Sequence, residues 1–144
     1  MPVFVDSNVL VYCRDSSDAE KQSRAQAWMA HLWRSRDGRL STQVLHEFYV
    51  AATRKLRPCL SLEDARADVR ALLAWRPLPL DGSLSVQAWE VQDAYGLSYW
   101  DALIVASALR ASCGTLLTAD LQDGQDLGGV KVTNPFQNLP GGAL

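Results

Sequence analysis

Short apolar runs along the chain alternate with longer segments in which apolar residues recur at helical spacing. Four runs have the length and composition of buried strands: Val3-Phe4-Val5 and residues 39–42, 115–118 and 130–132. Helical spacing predicts a helical stretch from Val9 and helices over residues 25–36, 43–55, 62–74, 83–95 and 98–111. Polar or glycine-containing segments, including residues 15–20 and 120–129, are predicted to be loops.

Short apolar strands that alternate with helices are typical of the α/β class. We expect a three-layer α/β/α sandwich with a central, mainly parallel sheet. The 144 residues suit one domain with a real core, and no repeat or linker divides them. The prediction is a single domain over residues 1–144, of which residues 137–144 form a loose C-terminal tail. In such sheets, ligands bind at the carboxyl ends of the strands.

Four carboxylates stand where the apolar pattern gives no reason for a charge. Asp6 and Asp120 directly follow two different strands. Glu47 lies on the apolar face of the helix at residues 43–55, and Asp101 opens the most apolar helix of the chain. Because a desolvated, unpaired carboxylate is costly, each of these positions needs an explanation.

Each acid has an explanation that involves no ligand. Asp6 suits a turn or a helix cap, and Glu47 suits a boundary position from which its flexible stem reaches water. Asp101 follows a serine by three residues, as in a variant of the capping box, and the crowded aromatic residues beside it predict a partly dry first turn. Asp120 lies in a loop with other acidic residues, and loops of this kind are usually solvated.

Read together, the four acids predict a cluster of carboxylates at one edge of the sheet. Like charges at such close range raise one another's pKa values unless a cation compensates them. Oxygen ligands favour Mg²⁺ or Mn²⁺ over zinc. The chemistry expected of such a site is attack of a metal-activated water on a phosphodiester.

Composition and charge add little to this hypothesis. The net charge of −2 indicates neither nucleic acid nor a membrane, although clustered acids would leave the remaining surface more basic. No apolar run has the length of a membrane span, and the first six residues have no basic region, so no signal peptide and a cytoplasmic location are expected. The spacing of the cysteines and histidines does not fit a zinc site, which predicts reduced thiols and structural or surface histidines: Cys13, Cys59, Cys113, His31 and His46.

The motifs resemble those of PIN-domain ribonucleases, and more narrowly VapC-type toxins of toxin–antitoxin pairs. The matching segments are VFVDSNVL at residues 3–10, Glu47 in its helix, YWDALIVA at residues 99–106, LLTAD at residues 116–120 and VTNPF at residues 132–136. The YWDALIVA helix is the most specific of them. The order and spacing of the segments extend the resemblance over nearly the whole chain.

The resemblance implies an α/β/α sandwich and cleavage of RNA that depends on Mg²⁺ or Mn²⁺. Asp6 and Asp101 would be the principal metal ligands, and Asp120 would complete the acidic site directly or through water. Glu47 would bind a second metal or orient the attacking water. Three polar residues match positions that support the site by hydrogen bonds: Ser7, Asn8 and Thr118. The resemblance also implies a homodimer and a small cognate antitoxin.

One departure from the family pattern concerns the loop after the last of these acids. Many members place a second acid two residues after the position that matches Asp120. Here Asp123 follows three residues later. Asp123 either replaces the second acid at a longer reach or faces solvent, and it is left out of the predicted site.

Cations and tryptophans provide candidate contacts to RNA and to partner proteins. Four basic residues near the predicted site are candidates for phosphate contacts: Arg14, Arg54, Lys55 and Arg57. The alternative explanation is a solvated helix end, where cations complement the helix dipole. Most of the five tryptophans are expected to pack in the core, whereas Trp33 and Trp89 are candidates for a dimer or antitoxin surface.

Two rival functions remain. A phosphatase with Asp6 as covalent nucleophile would carry a second aspartate two residues later as general acid, and the chain has Asn8 there. The alternative retained is a non-catalytic PIN-like module that only binds RNA or a protein.

Overall fold

A computed structural model describes residues 1–142, and within them four strands form one sheet. The strands are β1 (Val3–Val5), β2 (Gly38–Arg39), β3 (Thr115–Leu117) and β4 (Lys131–Thr133). They lie in the order β2-β1-β3-β4, and every neighbouring pair is parallel. The sheet confirms the predicted α/β class.

Six α-helices lie within the described part of the chain: α1 (Ser7–Cys13), α2 (Ala19–Ser35), α3 (Thr42–Arg54), α4 (Leu62–Leu72), α5 (Gly82–Tyr95) and α6 (Tyr99–Arg110). Short 3₁₀ helices cover Leu73–Trp75 and Pro140–Gly142. Helix α1 contacts α2 and α3, α3 contacts α4, and α5 packs along α6, which also contacts β3. This is the predicted α/β/α arrangement. None of the helices among residues 1–142 has the length and apolar character needed to traverse a bilayer.

The core lies where the sheet meets its helices. Phe4 and Val5 of β1 and Leu116 and Leu117 of β3 are fully buried. Helix α6 buries every residue from 102 to 108, as expected for a helix that is apolar nearly all round. These central elements hold the carboxyl ends of β1 and β3 side by side.

Helix α2 begins earlier than the sequence pattern predicts. The prediction placed its start at Ala25, whereas the structure starts it at Ala19. Asp18 caps the helix, because its carboxylate accepts a hydrogen bond of 3.1 Å from the backbone N–H of Lys21. Residues 19–24 contribute no buried side chain, so apolar spacing could not reveal this first part of the helix.

The predicted C-terminal tail lies only partly within the described residues. Residues 143–144 are outside them. Earlier in this segment, the backbone carbonyl of Asn138 accepts a hydrogen bond of 3.0 Å from the indole N–H of Trp28. The single-domain organisation, with residues 137–144 as a loose tail, stays a prediction.

Candidate active site

Asp6 lies at the junction where β1 ends and α1 begins. Its backbone N–H donates a hydrogen bond of 3.0 Å to the carbonyl of Leu117, which fixes it beside the end of β3. Its carboxylate accepts a bond of 2.7 Å from the backbone N–H of Ser7 and so caps α1. Only 6% of Asp6 is exposed. The residue that caps α1 is therefore a buried carboxylate. It lies at the carboxyl edge of the sheet, where parallel sheets commonly bind ligands.

A small hydrogen-bond network surrounds the Asp6 carboxylate. The Thr118 hydroxyl donates to Asp6 Oδ2 at 2.9 Å, and Asn8 Nδ2 lies 3.3 Å from the same oxygen and 3.0 Å from Thr118 Oγ1. Asn8 Oδ1 accepts from the backbone N–H of Ala119 at 3.1 Å, and Thr118 Oγ1 accepts from that of Asp120 at 3.2 Å. The network ties the end of β1 to the segment after β3 and positions Asp120 next to Asp6.

Burial dominates the electrostatics of Asp6. Desolvation raises the pKa of Asp6 to about 6, although hydrogen bonds from Thr118 and Ser7 act in the opposite direction. The negative charges of Glu47 and Asp120 raise the pKa further. Both acids are therefore close enough for their charges to act on Asp6.

Glu47 lies on α3 and is half-buried. Burial raises its pKa, and hydrogen bonds with the side chains of Gln43 and Ser7 offset part of this rise. The charges of Asp101 and Asp120 act on Glu47 in the same direction as burial. Glu47 is therefore close enough to Asp101, which lies at the start of α6, and to Asp120, which follows β3, for both charges to repel its own.

Asp101 and Asp120 occupy less buried positions than Asp6. Asp101 is half-buried in the first turn of α6, where its backbone N–H donates to the hydroxyl of Ser98 at 3.2 Å. Asp120 is exposed just beyond β3. Charge repulsion thus links Asp6 to Glu47 and Asp120, and Glu47 to Asp101 and Asp120, as a coupled group at the carboxyl edge of the sheet.

The donor set suits Mg²⁺ or Mn²⁺ bound by few protein ligands. Among residues 1–142, no three histidine, cysteine, aspartate or glutamate side chains are arranged to hold one ion together. Mg²⁺ commonly binds to one or two carboxylates and retains several water molecules. The predicted pair, Asp6 and Asp101, matches this requirement in number and in chemistry. A second sign of a polar ligand is Gln43 Oε1, a buried acceptor to which no group among residues 1–142 donates.

Gln43 is a site residue that sequence reasoning missed. It is 5% exposed, and its Nε2 donates to the carbonyl of Trp100 at 3.4 Å, which links α3 to the first turn of α6. The same side chain also lowers the pKa of Glu47. The available signal was its position four residues before Glu47, because residues at this spacing share one helix face.

A cavity of about 440 Å³ opens beside Glu47. Ser7, Glu47, His46 and Lys55 are among the residues that line it. Lys55 therefore shares a cavity with a predicted catalytic acid, as the phosphate-contact hypothesis requires. His46, expected to be structural or on the surface, is exposed and lines the same cavity.

The other candidate phosphate contacts have protein partners or lie outside this cavity. The Arg14 guanidinium forms a two-pronged ion pair with Asp68 of α4, at 2.8 and 2.7 Å. Arg57 Nη1 donates to the backbone carbonyls of Arg54 and Leu56. Lys55 is the member of the predicted basic group that the geometry favours.

Asp123 lies outside the coupled group of acids. Its Oδ1 accepts hydrogen bonds from the backbone N–H of Asn134 at 2.8 Å and from Asn138 Nδ2 at 2.9 Å. The Asp123 carboxylate thus holds the segment that follows β4.

The expectation of a crowded, partly dry first turn of α6 is wrong for Trp100. This residue is 59% exposed and contacts Tyr99 edge to face, with ring centroids 5.5 Å apart. Its side chain points away from the core that buries the rest of the helix.

Comparisons with known proteins identify one family. The family model of the PIN domain matches residues 3–122. Comparison with curated protein sequences gave no match. The fold is similar to that of the FitAB complex bound to an IR36 DNA fragment, with 21% identity, a TM-score of 0.64, and coverage of 93% of this chain and 95% of that one.

Two further solved structures have the same fold. VapBC2 from Rickettsia felis, bound to a DNA fragment from its promoter, is 14% identical with a TM-score of 0.61, over 93% of this chain and 98% of that one. VapC20 from Mycobacterium tuberculosis, described as a toxin that cleaves the sarcin–ricin loop, is 20% identical with a TM-score of 0.59, over 79% of this chain and 86% of that one.

Proposed function

The chain belongs to the PIN-domain family, and we propose that it is a Mg²⁺- or Mn²⁺-dependent endoribonuclease, the toxin of a toxin–antitoxin pair. The observation that carries the proposal is the buried Asp6 carboxylate, which the hydroxyl of Thr118 and the backbone N–H of Ser7 fix in place. The charges of Glu47 and Asp120 act on it there. A divalent cation at this position would relieve both the desolvation and the repulsion.

In the proposed reaction, Asp6 and Asp101 would hold the ion, and Asp120 would complete the site directly or through water. A bound ion would supply Lewis-acid polarisation of the phosphodiester and would lower the pKa of water. Glu47 has a raised pKa and faces a cavity, so it is suited to orient the attacking water and to accept its proton. Lys55, on the wall of the same cavity, contacts a substrate phosphate.

The test is cleavage of transfer, ribosomal and messenger RNA by the purified protein, with Mn²⁺ or Mg²⁺ and with chelator. Asp6→Asn and Asp101→Asn are compared with Asp93→Asn, which changes an exposed aspartate on α5. We expect cleavage that requires the metal, is abolished by both site changes and is preserved in the Asp93 variant.

Two outcomes would contradict the proposal, each for a different reason. Cleavage that persists with chelator and in both site variants would come from another site or a contaminant. A folded protein that binds RNA but cleaves none under any metal condition would favour the non-catalytic PIN-like module.

Partner binding belongs to the same proposal. We infer that this protein is a cytoplasmic toxin that forms a homodimer and binds a small antitoxin. Exposed apolar side chains support a protein partner, because Val86 and Trp89 lie one turn apart on α5 and are 48% and 54% exposed. Light scattering of the purified protein tests the dimer, and relief of growth inhibition by co-expression of the neighbouring small gene tests the antitoxin.

A further inference from the structure

A second cavity, of about 550 Å³, lies at the opposite end of the sheet from the acidic site. Gly38 on its wall pairs with Val3 at the start of β1, whereas Asp6 follows the end of that strand. Aromatic and cationic residues dominate the wall, and we call it the Trp33–Trp75 cavity: Trp33, Trp75, Arg36, Arg39, Arg76 and Gly38.

The two tryptophans form an aromatic wall. Their ring centroids are 5.2 Å apart and the rings are inclined at 57°. The Trp75 indole lies directly over Gly38, where any Cβ atom would overlap the ring. Trp33 is 43% exposed, so part of the pair is open to a ligand. An exposed aromatic surface of this kind can stack against a planar group.

The three arginines give the cavity a positive charge. None of them forms a salt bridge within residues 1–142. The neighbouring acid, Asp37, instead pairs with the N-terminal ammonium group at 3.4 Å. Arg36 and Arg76 are exposed, whereas Arg39 donates to the backbone carbonyls of Arg36 and Gly38. Two guanidinium groups therefore remain available to an anion.

The backbone conformation at Arg36 and Arg76 is unusual for arginine. Arg36 and Arg76 have left-handed conformations, with φ of 61° and 53°, at the ends of α2 and of the first 3₁₀ helix. Glycine or asparagine adopts this conformation at lower cost. The backbone conformation alone thus favours glycine or asparagine over arginine at both positions, whereas an anionic ligand favours arginine.

We propose that the Trp33–Trp75 cavity binds a single-stranded segment of RNA. A base stacks on the tryptophan pair, and phosphates contact Arg36 and Arg76. The inference rests on the proposed function, because it takes RNA as the substrate, and it adds a binding site remote from the acidic cluster. The aromatic wall favours RNA over a polyglutamate peptide, which has no ring to stack on it.

The test measures binding separately from cleavage. Fluorescence anisotropy of a labelled 12-nucleotide oligouridylate is followed with the full chain carrying Asp101→Asn, in chelator, over a series of salt concentrations. In this background, Arg36→Asn/Arg76→Asn removes two charges while keeping residues that tolerate positive φ. Its matched control is Arg34→Asn, an exposed arginine of the last turn of α2 outside the cavity.

A second pair of variants tests stacking. Trp33→Leu removes an exposed ring of the cavity, and Leu80→Ala shortens a comparably exposed apolar side chain outside it. We expect Trp33→Leu to weaken binding at least about fivefold, the lower end of a stacked base, while Leu80→Ala leaves it unchanged. The arginine double variant should make the negative slope of log K against log salt shallower by about 1.4, at about 0.7 per lost phosphate contact.

The outcomes separate this inference from the proposed function. If the unmodified protein cleaves RNA but the cavity variants bind the oligonucleotide as tightly as their controls, the cavity inference is wrong and the ribonuclease proposal stands. If a 12-residue polyglutamate peptide binds the cavity in preference to the oligonucleotide, the site is one for acidic protein segments and the RNA inference is overturned. If the unmodified protein cleaves no RNA with metal present, the proposed function fails independently.

Discussion

The Asp6→Asn variant measures what a buried carboxylate costs the folded protein. Burial raises the pKa of Asp6 from 3.8 to about 6, so the folded state binds this proton more tightly than the unfolded state. Asp6 therefore costs little well below pH 4, and its penalty grows as the pH rises from about 4 to about 6. The difference of about two pH units corresponds to about 3 kcal/mol at pH 7.

The assay is urea unfolding followed by circular dichroism, for both proteins in chelator between pH 4 and pH 7. Asn lacks the charge, but it accepts fewer of the hydrogen bonds from Ser7, Asn8 and Thr118, each worth about 1 kcal/mol. The pH dependence of the difference between the two proteins is therefore the informative quantity. We expect the unmodified protein to lose roughly 2 kcal/mol relative to Asp6→Asn between pH 4 and pH 7.

Divalent ions should remove this penalty. At pH 7, Mn²⁺ at a hundred times its dissociation constant should stabilise the unmodified protein by about 2.7 kcal/mol and leave Asp6→Asn nearly unaffected. Unfolding free energies that change in parallel with pH for the two proteins would refute the desolvation argument. Equal stabilisation of both proteins by Mn²⁺ would remove Asp6 from the metal site.

Three further substitutions test the acidic site and the Trp33–Trp75 cavity. Thr118→Val removes the hydroxyl that donates to Asp6, so we expect a loss of about 1–2 kcal/mol and weaker Mn²⁺ binding in calorimetry. Gln43→Leu removes the amide that contacts the glutamate four residues later, so cleavage at saturating RNA should fall at least about tenfold, the equivalent of one hydrogen bond, with little change in melting temperature. Gly38→Ala forces a methyl group into an indole ring and should cost about 1–3 kcal/mol in urea unfolding, whereas Gly82→Ala, with open space around it, should cost nothing.

Apolar patterning predicted the strands and most helices because these elements bury one face or all faces. It placed Asp6 and Asp120 after two different strands, and the structure shows that these strands, β1 and β3, are parallel neighbours. It failed at the start of α2, which a polar cap at Asp18 determines and no buried residue marks. The resemblance to the PIN family is confirmed over residues 3–122, whereas the metal, substrate and partners that it implies stay predictions.

Tertiary contacts explain what the sequence could not provide. The role of Gln43 depends on its contact with Trp100, which comes from a helix far away in the chain. The pairing of Trp33 with Trp75 requires α2 to lie against the 3₁₀ helix after α4. The sequence was compatible with Asp6 as a helix cap or as a metal ligand. In the structure, Asp6 caps α1 and also lies close to the charges of Glu47 and Asp120. Local patterns cannot reveal such combinations.

The cost of Asp6 gives a physical reason to prefer a catalytic site over a binding module. A penalty of about 3 kcal/mol is a large share of the roughly 5–15 kcal/mol by which domains are stable. Asparagine at this position would cap α1 as well, without a buried charge. A surface that only binds RNA gains nothing from acids, because phosphates repel them. A cation bound beside Asp6, Glu47 and Asp120 would offset both the desolvation and the repulsion, which is why we propose a metal-dependent nuclease rather than a module that only binds RNA.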